Sequence, residues 1–239
     1  MARATAEALS AGGARVAILD LPKSAGAEVA EGLPGEATFH SCDVMDARAT
    51  EAALADALTA HGAIHIAVNT AGGGRGGRTI RKDGPHPLDE FRFTIELNLI
   101  GTFNLNRLEA WHMSQNEPDP EGERGVIINT SSIAAFEGQI GQVAYTAAKA
   151  GIAGMSLTMA RDLGALGIRV NAIAPSLMAT GAVAGIDPSM AAELTKDAPF
   201  PKRMGKPEEY AKLALAIIDN PMLNGGTIRL DGGQRFAPK

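Results

Sequence analysis

Gly125-Val126-Ile127-Ile128-Asn129-Thr130 decides the fold. Three consecutive β-branched apolar residues leave no alternation with polar ones, so this strand is buried on both faces. Working outward, the next segment, Gln142 to Leu166, is rich in Ala, Met and Leu and free of proline, and reads as a helix. Ile168-Arg169-Val170-Asn171-Ala172-Ile173-Ala174 follows as another strand. Upstream, strands are predicted at 15–20, 37–43 and 64–69. Helices are predicted from the start of the chain to Gly12-Gly13, from Ser24 to Glu31, from Asp46 to Ala60 with Gly62 closing it, and from Leu88 to Gln115. Residues 73–87 read as a loop bearing Gly, Arg and Pro. Downstream, 175–206 is irregular with a short helix from Pro188 to Lys196, Pro207 to Asp219 is a helix, and 226–231 is the last strand. Alternating strands and helices with continuously apolar strands predict an α/β chain: a doubly wound parallel sheet in three layers. No repeat or linker divides it, so residues 1–239 form a single domain, with 176–205 inserted as a mobile substrate loop.

Composition narrows the function. The net charge of −5 argues against a nucleic-acid partner, and no apolar run reaches the ~18–20 residues that span a membrane. Cys42 is the only cysteine, which fits a reducing, cytoplasmic setting. The five histidines show no metal-ligand spacing, so no metal is expected.

The polar residues cluster at strand ends, where open parallel sheets bind ligands. Asp20 ends the first predicted strand; an acid there accepts both hydroxyls of an adenosine ribose and repels a 2′-phosphate, selecting NAD over NADP. Taken alone, it is equally a solvated turn acid before Pro22. Asp43 and Val44 end the next strand and suit an adenine edge or a turn. Asn69, Ala71 and Gly72 end the third, where small residues permit close approach of a dinucleotide or form a bland glycine turn. Ser131 and Ser132 end the fourth; Ser132 suits a substrate oxygen or a helix cap. Asn98 lies among Leu and Ile of the long helix and needs a partner if buried, either as a holder of water behind Lys149 or as a satisfied core amide. Tyr145 and Lys149, four apart on one helix, share a face. An ammonium beside a phenol favours the phenolate, which predicts a lowered Tyr145 pKa and a group able to pass a proton to or from an alcohol or ketone oxygen.

Asn69-Thr70-Ala71-Gly72, Asn98, Ser132, Tyr145-xxx-Lys149 and Pro175-Ser176-Leu177-Met178-Ala179-Thr180 occur in the order and spacing of the short-chain dehydrogenase/reductase family, which the chain resembles through to Leu230-Asp231-Gly232-Gly233. The resemblance implies a Rossmann-like fold and hydride transfer with NAD. In it Tyr145 is the acid/base, and Lys149 lowers the phenol pKa and holds the nicotinamide ribose. Ser132 orients the substrate, Asn98 supports proton relay, and Pro175 and Thr180 lie at the nicotinamide, Thr180 against its carboxamide end. Residues 114–119, 125–130, 135–139 and 221–225 are similar to the type II 3-hydroxyacyl-CoA dehydrogenase branch, which implies an acyl-CoA substrate held partly by Gln139, and a homotetramer. Hydroxysteroid dehydrogenases, 3-oxoacyl carrier-protein reductases and a non-catalytic binding protein are the alternatives.

The chain departs from the family pattern twice. The family opens on a strand and a glycine-rich turn that receives the pyrophosphate. Here residues 3–7 align just after that turn, so an N-terminally truncated domain is expected, with the strands at 15–20 and 64–69 lacking a shared neighbour. Ser176 stands where the family has glycine, which puts the local backbone in question. Arg75, Arg78, Arg81 and Lys82 read as a solvated loop or as cations for CoA phosphates; the Gly73–Arg78 run also resembles an RNA-binding glycine–arginine run, the least favoured reading in an acidic chain. Met178, Met190, Phe200 and Met204 read as core or as an acyl pocket.

Overall fold

The computed structural model describes residues 1–183 and 185–238. In chain order the elements are α1 (Ala2–Ala11), β1 (Val16–Asp20), α2 (Gly26–Gly32), β2 (Ala37–Ser41), α3 (Ala47–His61) and β3 (Ile66–Asn69). A short hairpin of β4 (Ile80–Arg81) and β5 (Gly84–Pro85) follows, then α4 (Leu88–Ile95), α5 (Gly101–Met113), β6 (Gly125–Thr130) and α6 (Val143–Leu163). The chain closes with β7 (Ile168–Pro175), α7 (Pro188–Thr195), α8 (Pro207–Asp219) and β8 (Thr227–Leu230).

β3, β6, β7 and β8 form a parallel sheet in that order, and β6 and β7 are buried at every position. Alternate residues of β6 enter opposite layers. Ile127 packs with Ala110 and Met113 of α5 and Met159 of α6. Val126 and Ile128 pack with Tyr210, Ala214 and Ile217 of α8 on the other face. Each fully buried aliphatic side chain contributes about 1.5–3 kcal/mol, so these strands anchor the molecule.

β1 and β2 pair in parallel as a separate two-stranded sheet. Among the described residues β1 bonds only β2, and β3 bonds only β6, so one edge of each carries no ladder. Helices join the two parts. Ala6 and Leu9 of α1 pack on Val16 and Ile18, while α1 also lies against α8. Leu54 of α3 packs on Leu105 and Leu108 of α5, with Leu19 of β1 and Ile64 at the margin.

Local chemistry explains the boundaries. Asp46 caps α3 by accepting from the Arg48 and Ala49 amides at 2.9 and 3.1 Å, and Gly62 ends it at φ 82°. The long helix expected from Leu88 is interrupted by one π-helical turn, Glu96–Ile100, between α4 and α5. The 73–87 stretch, expected to be irregular, folds its tip into the β4–β5 hairpin. Within 176–205, Ala184 lies outside the described residues. Met178 takes the core reading, packing beside Tyr210, while Met190 and Phe200 are exposed. No helix among the described residues is long and apolar enough to cross a membrane.

Candidate active site

Tyr145 and Lys149 sit on the first turns of α6, directly against the end of β6. The contact is made by hydrogen bonds. Ser131 donates its hydroxyl to the Lys149 carbonyl at 2.8 Å, and the Lys149 ammonium donates to the Thr130 carbonyl at 2.8 Å. Lys149 is buried, and its Nζ lies 5.6 Å from the centre of the Tyr145 ring. Ser132 caps the 3₁₀ turn Ile133–Ala135 by accepting from the Ala134 amide at 3.1 Å, and its hydroxyl stands close enough to the Tyr145 phenol to favour the phenolate. Ser132 thus serves both as a cap and as a neighbour of the phenol.

The electrostatics differ from expectation. Burial pushes the Tyr145 phenol above its usual value, with the Ser132 bond opposing, and Lys149 does not bring it down. Burial instead lowers Lys149 to about 8. Desolvation outweighs the Tyr–Lys interaction because Lys149 is buried and Tyr145 half-buried.

Asn98 is carried inward by the π-helical turn and is fully buried. Its side chain accepts from the Gly73 amide at 3.1 Å and donates to the carbonyls of Gly73 (2.6 Å) and Thr94 (2.8 Å). It therefore fixes the backbone after β3, in the manner of a satisfied core amide. A Cβ on Gly72 would fall 2.7 Å from Asn98 Oδ1 and 3.2 Å from Lys149 Nζ. The bare glycine backbone is what lets the strand end lie against both groups.

The remaining expected residues separate into two groups. Asp20 and Asp43 lie exposed at the ends of β1 and β2 and accept from the amides of Leu21 (2.7 Å) and Met45 (3.0 Å), so each also shapes a turn. Val44 packs at the margin of the α3–α5 contact. Ala71 and Gly72 are exposed beyond β3, and Pro175 ends β7 opposite Leu230. Ser176 is accommodated without strain, since no non-glycine residue among those described has a positive φ. The Thr180 amide bonds the Met178 carbonyl in the following turn. Asn69 turns its side chain away from the strand end into a buried cluster with Asn106, Glu109 and Asn129. Gln139 donates to the Ala237 carbonyl at 3.2 Å and lines a cleft of about 570 Å³ with Arg78, Thr79, Ile140 and Thr146. Arg75 stacks on Phe93, its guanidinium 4.8 Å from the ring centre, and Arg81 pairs with Glu90.

Three residues close to the site were not singled out in the sequence. Thr130 supplies the carbonyl that holds Lys149. Tyr210 meets the Thr130 hydroxyl at 2.7 Å. Glu109 belongs to the Asn69 cluster. Leu105, Glu109 and Met113 stand at four-residue spacing, and that row placed a carboxyl between two apolar positions as the available sign.

The residues present fit a dinucleotide. Exposed acids end β1 and β2, and a side-chain-free Gly72 meets the buried Lys149 ammonium where β3 and β6 end; strand ends of this kind suit a dinucleotide. Chemically, a phenol beside a serine and backed by a lysine moves a proton at an oxygen atom.

Comparison with known proteins agrees. A family model described as Enoyl-(Acyl carrier protein) reductase matches residues 1–235. The chain is similar to the 3-hydroxyacyl-CoA dehydrogenase type-2 of Homo sapiens, 48% identical over 237 residues that cover 98% of this chain and 91% of the relative. It is also similar to the protein of that name from Drosophila melanogaster, 46% identical and covering 100% and 94% of the two chains. The crystal structure of 3-hydroxyacyl-CoA dehydrogenase type-2 from Mycobacterium avium superposes with a TM-score of 0.93 at 42% identity, over 99% of this chain and 92% of the other.

Proposed function

The chain belongs to the short-chain dehydrogenase/reductase family, and on that premise we propose that it is an NAD-dependent dehydrogenase interconverting 3-hydroxyacyl-CoA and 3-oxoacyl-CoA. The observation that carries this reading is the buried Lys149 ammonium, anchored on the Thr130 carbonyl 5.6 Å from the centre of the Tyr145 ring, with Ser132 beside the phenol.

Asp20, Asp43, Val44, Ala71, Gly72, Pro175 and Thr180 would hold NAD, with Tyr145 and Lys149 at its reactive end and Asn69 supporting the strand end. When bound, NAD supplies the hydride acceptor. Ser132 donates to the substrate oxygen and fixes its distance from Tyr145. Tyr145 removes the hydroxyl proton during oxidation and returns it during ketone reduction. The raised phenol pKa gives a sign: oxidation needs the phenolate and climbs into alkaline solution, whereas reduction uses the phenol and falls there. Asp20 favours NAD, because a 2′-phosphate would meet its carboxylate. The cleft between Arg78 and Gln139 is of a size that holds part of an acyl-CoA.

The test follows reduced-nicotinamide absorbance with acetoacetyl-CoA, a ketosteroid and a short keto acid. Turnover is expected with acetoacetyl-CoA and NADH, and Tyr145→Phe should lower kcat at least about 10²-fold with NAD affinity nearly unchanged. Preference for the steroid would move the assignment to a hydroxysteroid dehydrogenase, and NAD binding without turnover to a non-catalytic protein.

The homotetramer is part of the same proposal. Ile100, Phe103 and Trp111, along the π-helical turn and α5, and Leu157 of α6 are exposed apolar residues on elements that already pack the sheet with their other faces. Light scattering is expected to give four times the 24.7 kDa chain mass; a monomer would remove this part of the reading.

A further inference from the structure

Glu109 is a buried carboxyl that the reaction above does not use. Asn69 of β3 holds it: Asn69 Nδ2 lies 2.9 Å from Glu109 Oε2, and 3.2 Å from each of Asn106 Oδ1 and Asn129 Oδ1. An amide nitrogen has two hydrogens, so three acceptors crowd two donors. Among the described residues Asn129 Nδ2, although buried, has no partner, and Asn106 Nδ2 has only Met159 Sδ at 3.9 Å. A protonated Glu109 brings a hydrogen to the acceptor-rich centre. An ionised Glu109 draws the Asn69 amide more strongly, since charged acceptors bind the shorter and stronger bonds.

The same Asn69 leads to the active site. Its backbone carbonyl accepts from the Thr130 hydroxyl at 2.6 Å. That hydroxyl has spent its one hydrogen, so Tyr210 donates to it at 2.7 Å. The Thr130 carbonyl in turn accepts the Lys149 ammonium at 2.8 Å. Glu109 is thus linked through Asn69 and Thr130 to the lysine behind Tyr145.

We propose that Glu109 is a positioning residue whose protonation sets the place of Asn69 and Thr130, and through them of Lys149 and Tyr145. The idea rests on the dehydrogenase reading for its kinetic consequence only. Among the described residues the surroundings contain no competing charge: β3, β6 and α6 contribute Asn69, Asn129 and Met159, and α3 meets α5 through Leu54. Burial raises Glu109 to about 7 and the Asn69 bond opposes, with no ionised side chain acting on it among the described residues.

The chain has two tyrosines, so ¹³C labelling at tyrosine Cζ gives two signals, with that of Tyr145 identified by its loss in Tyr145→Phe. In the wild type both Tyr145 and Tyr210 signals should shift with an inflection near pH about 7, distinct on Tyr145 from the one Lys149 gives at about 8, and Glu109→Gln should remove the inflection near 7 from both. Between pH ~6 and ~8, kcat/KM with acetoacetyl-CoA should carry a step of about threefold that Glu109→Gln lacks. A Tyr145 signal with no inflection near pH about 7, an inflection there that survives in Glu109→Gln, or superimposable rate profiles would overturn the proposal. Wild-type protein without turnover but with the Glu109-dependent Tyr145 inflection would sink the enzyme reading and leave the positioning role standing.

Discussion

A carboxyl in the interior makes stability depend on pH, and Glu109 gives that dependence a sign. Its folded pKa of about 7 exceeds the ordinary 4.5. The folded state therefore binds the proton more tightly, and the benefit is complete below pH 4.5 and lost as pH rises through about 7. The loss amounts to about 3 kcal/mol. Glu109→Gln keeps the shape without the charge. Thermal melts should show the variant near wild type at pH ~4.5 and more stable by several degrees above pH ~7; equal melting temperatures at alkaline pH would refute the buried, uncompensated carboxylate. Residues such as Ser132, Tyr145 and Lys149 were legible in the sequence because their spacing repeats a known chemistry. Asn69 was legible as a position but not as a direction. Its amide turns inward because Asn106, Glu109 and Asn129, up to 60 residues away along the chain, converge there.

At the scale of elements, β6, α6 and α8 could be read almost to the residue, because continuous apolar runs and a proline at the first turn mark them locally. The π-helical turn between α4 and α5 had no such mark. Its Leu, Asn and Ile are acceptable in any helix, and the extra residue is accommodated by the tertiary pairing of Asn98 with Gly73. This turn ties the 73–87 stretch to the helix. Asn98→Ala would strand the Gly73 amide and two carbonyls, costing about 1–3 kcal/mol locally. Trypsin should then cut faster at Arg75, Arg78 and Arg81, and kcat should fall as Gly72 loses its register with Lys149. Unchanged digestion would show that the stretch is held by Arg75–Phe93 and Arg81–Glu90 without Asn98.

For the whole molecule, strand–helix alternation made the layered architecture legible, and the resemblance to the family also made legible the division of the sheet, since it left the strands at 15–20 and 64–69 without a shared neighbour. β6 and β7 are each laddered on both edges, while β1 and β3 leave an edge open. In terms of hydrogen exchange, the two sheets, bridged by α1 and the α3–α5 contact, are expected to behave as cooperative units of unequal opening free energy. Deuterium should enter β1 and β2 under native conditions well before β6 and β7, whose amides should open only with global unfolding. Uniform protection across all six strands of the two parallel sheets would mean that helix packing alone welds the parts into one unit. If the units do open separately, the acids at the ends of β1 and β2 belong to a half that breathes on its own clock, and the tyrosine and lysine to a half that does not.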